Sequence, residues 1–109
     1  MAKRRRTVSE VLASALEKFG PNGEHWIKGY EHSRKGGEDR YCMIGAIKAS
    51  TRNANLIDEA DRIVRDVLPT GYYSVPMYND AGKTDFAAVK SAMCKAVNKA
   101  VQEESESAS

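Results

Sequence analysis

The chain has 109 residues, of which 41% are hydrophobic and 29% charged, with a net charge of +2; these are the proportions of one soluble globular domain, able to bury roughly two-thirds of its unfolded surface. Its longest unbroken apolar stretch, Cys42 to Ile47 with Gly45 inside it, is far too short to span a bilayer, and polar Thr7-Val8-Ser9-Glu10 after the N-terminal cations excludes a secretory signal. Two cysteines without a short-range spacing fit a reducing, cytoplasmic interior better than a disulfide framework.

The charge is unevenly placed. Lys3, Arg4, Arg5 and Arg6 form a basic arm, Glu103, Glu104 and Glu106 an acidic tail, and the body between them is nearly neutral. Neither end has apolar residues to bury, so the reading is a disordered arm over 1–6, one helical domain over 7–101 and a disordered tail over 102–109.

Val8, Val11, Leu12, Ala15, Leu16 and Phe19 recur on one face of a first helix. Thr7 with Glu10 makes a capping box at its start, and Gly20-Pro21 stops it. Asn22-Gly23 is a turn. Periodicity leaves Trp26, Ile27 and Tyr30 open between a short extended piece and one helical turn. Ser33 to Gly37 reads as a polar loop, with a second helix from Glu38 to Ser50. Gly45 weakens that helix by ~1 kcal/mol relative to alanine, which points to close approach of another helix. A third helix covers Ala54 to Leu68, with Leu56, Ile57, Ala60, Ile63, Val64, Val67 and Leu68 inward, and Pro69 ends it. Tyr72 to Tyr78 reads as extended, although Pro76 argues against a central strand. Thr84 caps a final helix with the stripe Phe86, Val89, Met93, Ala96, Val97, Ala100. The fold class is therefore mainly α, with α+β open: about four helices and one or two short extended segments.

No residue has an evident reactive partner. Gly82-Lys83-Thr84 suggests a phosphate loop, but the glycine that motif needs five residues before Gly82 is Met77. A single anion held by free N–H groups at the helix start beside Lys83 survives as an expectation. Asn79 and Asp80 read as turn residues, their side chains bonding backbone N–H groups over 79–86. His25, His32, Cys42 and Cys94 lack the spacing of a zinc set, and both thiols read as buried, inert groups. No metal and no cofactor is expected. Trp26 reads as a core anchor, with an aromatic surface shared with the tyrosines as the alternative.

With these residues in view, the chain resembles a family of small actinobacterial and phage proteins that is a domain of unknown function. The resemblance rests on Trp26 with Gly29, on Tyr41-Cys42-Met43-Ile44-Gly45-Ala46, and on Asn79-Asp80 before the Thr84 to Val89 helix start. It spans residues 8–100 and implies a bacterial or phage origin but no activity. Trp26, Gly29, Cys42, Gly45, Asn79 and Asp80 are then structural motif residues. The expectation is a non-catalytic module that binds a protein. The alternative is a nucleic-acid-associated protein whose Lys3–Arg6 arm lies along phosphates, and a small hydrolase comes third.

Overall fold

The computed structural model describes residues 6–107. Among them the elements run α1 (Val8–Lys18), β1 (His32–Lys35), β2 (Glu38–Tyr41), α2 (Met43–Ser50), α3 (Ala54–Val67), α4 (Val75–Asp80) and α5 (Phe86–Ser107). The class is mainly α. The Thr7 side chain accepts from Glu10 N at 3.3 Å while the Glu10 carboxylate accepts from Thr7 N at 3.1 Å, so the capping box forms as expected. Gly20, at φ +80°, then turns the chain out of α1 in a conformation that only glycine adopts without strain. Between these ends Val11, Leu12, Ala15 and, just beyond the helix, Phe19 are fully buried.

That stripe sits at the centre of the molecule. α1 packs against α5, α2 and α3, and α3 also packs against α5. Ala60, Ile63 and Val64 of α3 meet Val89, Met93 and Ala96 of α5 in the same core as Met43, Ala46 and Ile47 of α2. Alanines on α2, α3 and α5 let the helices approach closely, and the larger side chains fill the space between them.

Three local readings are corrected. Ser33 to Gly37 is not a plain loop, and residues 38–41 are not helical. Together they form a hairpin with His32 opposite Tyr41 and Lys35 opposite Glu38. Gly36 and Gly37, at φ +61° and +81°, supply the two left-handed positions a two-residue hairpin link demands. The segment Tyr72 to Tyr78 is not extended either. Ser74 accepts from Met77 N at 3.2 Å and starts α4. Pro76 then falls in the first turn, where its missing N–H leaves no bond unmade. Finally, Thr84 does not cap α5. Asp85 does, its Oδ1 accepting from Ala88 N at 2.9 Å and its carbonyl from Val89 N at 3.1 Å.

The tail departs furthest from expectation. α5 continues to Ser107 because side chains of two other elements hold it. Arg62 on α3 donates to Glu103 at 2.8 Å and Ser9 on α1 to Glu104 at 2.8 Å. Arg62 also pairs with Glu59 and Asp66, so it enters the cluster held from both sides. Among the described residues no helix is long and apolar enough to cross a membrane.

The hydrogen bond from Arg62 holds the Glu103 carboxyl below its ordinary range. A carboxylate whose folded value is depressed contributes stability above its unfolded value, and loses it as pH falls through the folded one. Acidification below the ordinary glutamate range, about pH 4.3, should therefore fray residues 103–107. Arg62→Leu should do the same at neutral pH. Amide exchange that stays slow in this turn in both cases would show that the Arg62 contact does not hold the helix end.

Candidate functional site

Three segments far apart in sequence meet on one side of the helices. The first enters after α1: Ile27 N donates to Tyr41 O at 3.0 Å and Tyr41 N to His25 O at 2.8 Å. Trp26 thus makes a single parallel bridge to Tyr41, which settles the open choice in favour of an extended piece. The second segment is the start of α2 at Cys42. The third is α4, which turns Val75, Tyr78 and Asn79 inward and leaves Pro76, Met77 and Asp80 outside.

Asn79 joins all three. Its Oδ1 accepts from Met43 N at 3.0 Å and from Trp26 Nε1 at 2.6 Å. Its Nδ2 donates to Ile27 O and to Asp80 Oδ1, each at 2.9 Å. A primary amide has two acceptor and two donor positions, so this side chain, with no exposed surface, is saturated. Asp80 Oδ1 also accepts from Gly29 N at 2.8 Å, and Gly29 meets it at φ +85°. Lys28 donates to Ala81 O at 2.7 Å and lies 5.6 Å from the Trp26 ring centroid. The expectation that Asn79 and Asp80 bond their own turn is corrected: they bond backbone groups some 36 to 52 positions away.

Gly45 does mark a close approach, but of a loop and not of another helix. A Cβ there would overlap the Glu31 carbonyl oxygen, which itself accepts from Cys42 N at 3.2 Å. Cys42 Sγ accepts from Gly45 N at 3.4 Å and so caps α2. Burial pushes the Cys42 thiol up, with smaller contributions from the charges of Glu31 and Asp80. It is a structural thiol in the sense expected. Cys94 is not, because it is exposed on α5.

Gly29, Tyr30, Glu31, Cys42, Pro76 and Asp80 enclose a cleft of about 110 Å³. Lys48 donates to Glu31 Oε1 at 2.6 Å on its wall. Tyr30, one of its lining residues, is 71% exposed, and Met77, next to lining Pro76 in α4, is 45% exposed. A larger hollow of about 300 Å³ between α1 and α5 is lined by Leu16, Glu17, Gly20, Pro21, Phe86 and Lys90. The smaller cleft is the better candidate, because oriented polar groups converge there. Of the six residues singled out, Gly29, Cys42 and Asp80 line this cleft, while Trp26 bonds Asn79, Asn79 bonds Asp80 and Gly45 meets the Glu31 carbonyl. The sequence reading had Tyr30 only in the alternative aromatic surface and missed Glu31, Pro76 and Met77. Ser74 followed by a proline two positions on is the helix-start signal that would have exposed the last pair.

The remaining candidates are scattered. Thr84 N donates to Ala81 O at 3.0 Å, and the Asp85 carboxylate holds the N–H of Ala88. An anion at Gly82, Lys83 and Thr84 would meet the negative charge of Asp85 where it needs donors, which argues against that expectation. Lys3, Arg4 and Arg5 lie outside the described residues. Arg6 donates to Ser50 O at 3.5 Å. Among the described residues no three His, Cys, Asp or Glu side chains gather as a metal site would require.

Residues 3–99 match the family of unknown function DUF6197. The chain belongs to this family. Neither a curated protein nor a solved structure matches it. In this DUF6197 member, residues drawn from 26–29, 43 and 79–80 form one hydrogen-bonded node.

Asn79→Ala should cost about 3 kcal/mol, since it orphans the buried Met43 N–H and the Ile27 carbonyl together. A urea melt placing the variant within about 1 kcal/mol of the parent would show that water replaces the amide. Cys94 should react with a thiol reagent in native buffer at the rate of a free thiol, and Cys42 only as the chain opens. Equal rates at both would overturn the assignment of Cys42 as a buried cap.

Proposed function

We propose that the chain is a non-catalytic module that docks a protein partner on the face made by Tyr30, Pro76 and Met77 around the Asp80 cleft. The observation that supports this reading is the pairing of a rigid base with an exposed rim. Every amide position of Asn79 is bonded, so the loop carrying Tyr30 and the helix carrying Met77 are fixed relative to one another. Both side chains nevertheless stand in solvent. Tyrosine and methionine held outside a core are residue types enriched where proteins meet. A preformed rim also lowers the ordering cost of association.

The groups of the node with acid–base or nucleophilic chemistry already have other tasks. Cys42 caps a helix with its thiol pushed up, and Asp80 holds Gly29 and Asn79. Of the basic arm, the alternative means of contact, the one described residue is Arg6, and it donates to the Ser50 carbonyl.

Selection of a random peptide library on the immobilised full chain tests the reading. Recurrent peptides should emerge, and Tyr30→Ala with Met77→Ala should weaken them by about tenfold, the effect of losing roughly 1.4 kcal/mol. A selection that enriches no recurrent sequence, or peptides unaffected in a double variant that melts like the parent, would remove this function.

A further inference from the structure

We propose that the cleft beside Asp80 receives the ammonium group of a lysine side chain, a deepening that rests on the docking face just described. Asp80 has one oxygen filled and one open. Gly29 N and Asn79 Nδ2 both donate to Oδ1, which occupies its two lone pairs. Among the described residues no donor reaches Oδ2, and no cation pairs with Asp80. Lys28, one position before Gly29, is held on the Ala81 carbonyl instead. The carboxylate is aimed by backbone and amide donors, yet keeps an unmatched charge at the cleft it lines.

The geometry favours lysine over arginine. A guanidinium fork binds best across both oxygens of a carboxylate, whereas an ammonium is a compact charge that needs only one. The cleft, about 110 Å³, has room for an ammonium and its last methylenes, being several times the roughly 30 Å³ share of one water. Another lining residue already shows the chemistry: Glu31 takes an ammonium from this chain, Lys48, at 2.6 Å. Tyr30, largely exposed at the rim, offers a ring to the aliphatic stem and a π-face to the charge.

The test is a titration of the ¹⁵N-labelled full chain with Nα-acetyl-lysine methylamide, its Nε-acetylated form and the arginine analogue. The lysine compound should move the Gly29 and Tyr30 amides saturably, and Nε-acetylation should abolish the effect. The arginine analogue should bind more weakly. Asp80→Asn keeps an acceptor for Gly29 N–H and should weaken the lysine compound by about three- to fivefold, the range of one exposed ion pair. No saturable shift at these amides, equal binding of the Nε-acetylated form, or tighter binding of arginine would overturn the assignment. The comparison of compounds on the parent chain decides the matter even where Asp80→Asn is unfolded. Library peptides that need Tyr30 and Met77 but bind Asp80→Asn undiminished would remove the lysine and leave the docking face standing. Lysine binding with no enriched peptide would do the reverse.

Discussion

One buried amide sets the arrangement of everything outside the helical core. Asn79 bonds a tryptophan ring, two backbone groups from separate segments and its neighbour Asp80. Each such bond contributes only about 0.5–1.5 kcal/mol net, whereas a buried polar group left unpaired costs about 1–3 kcal/mol. Stability in bulk comes from the apolar stripes of α1, α3 and α5. The amide acts on choice: packings that displace the 26–29 loop, the start of α2 or α4 each leave buried polar atoms without partners. Such an all-or-none network favours a single arrangement.

The other features of that side follow from this constraint. For Asn79 to reach Met43 N, α4 must lie against α2, and the two are in contact. α2 must also sit against the chain entering β1, which is possible because position 45 has no side chain. The hairpin itself is peripheral, its strands mostly exposed, with His32 stacked on Tyr41 at 5.0 Å. Trp26 packs against the core, as expected of an anchor, but from its edge. It is half-buried, its indole N–H on Asn79 and its ring 6.2 Å from Phe86.

The core was legible because helical periodicity is a local signal. The stripes of α1, α3 and α5, the Thr7 capping box and the turn at Gly20 all follow from residues within a few positions of one another. The motif residues stood out too, but their roles did not. Asn79 looks like a turn residue because asparagine commonly is one, and nothing near position 79 reveals donors at 26 and 43. The hairpin was hidden for another reason: both strands are largely exposed, so neither carries the alternation that a half-buried strand shows. The acidic tail misled similarly. Glu103 and Glu104 have nothing to bury, and besides the local Lys99–Glu103 pair they are held by Arg62 and Ser9, which no window around residue 103 contains.

The fold divides its labour between two kinds of polar group. Asn79 is closed: every valence is matched inside the protein, so it positions its neighbours and offers nothing outward. Asp80, the next residue, is half-open: it lines the cleft, and both of its donors go to Oδ1. Adjacent positions at the end of a short helix point one side chain inward and the next outward, so the first sets the geometry in which the second is presented. A carboxylate coupled this tightly to a saturated buried amide cannot drift without breaking bonds to residues 26–29 and 43. Rigidity of the base and exposure of the rim are thus consequences of the same node.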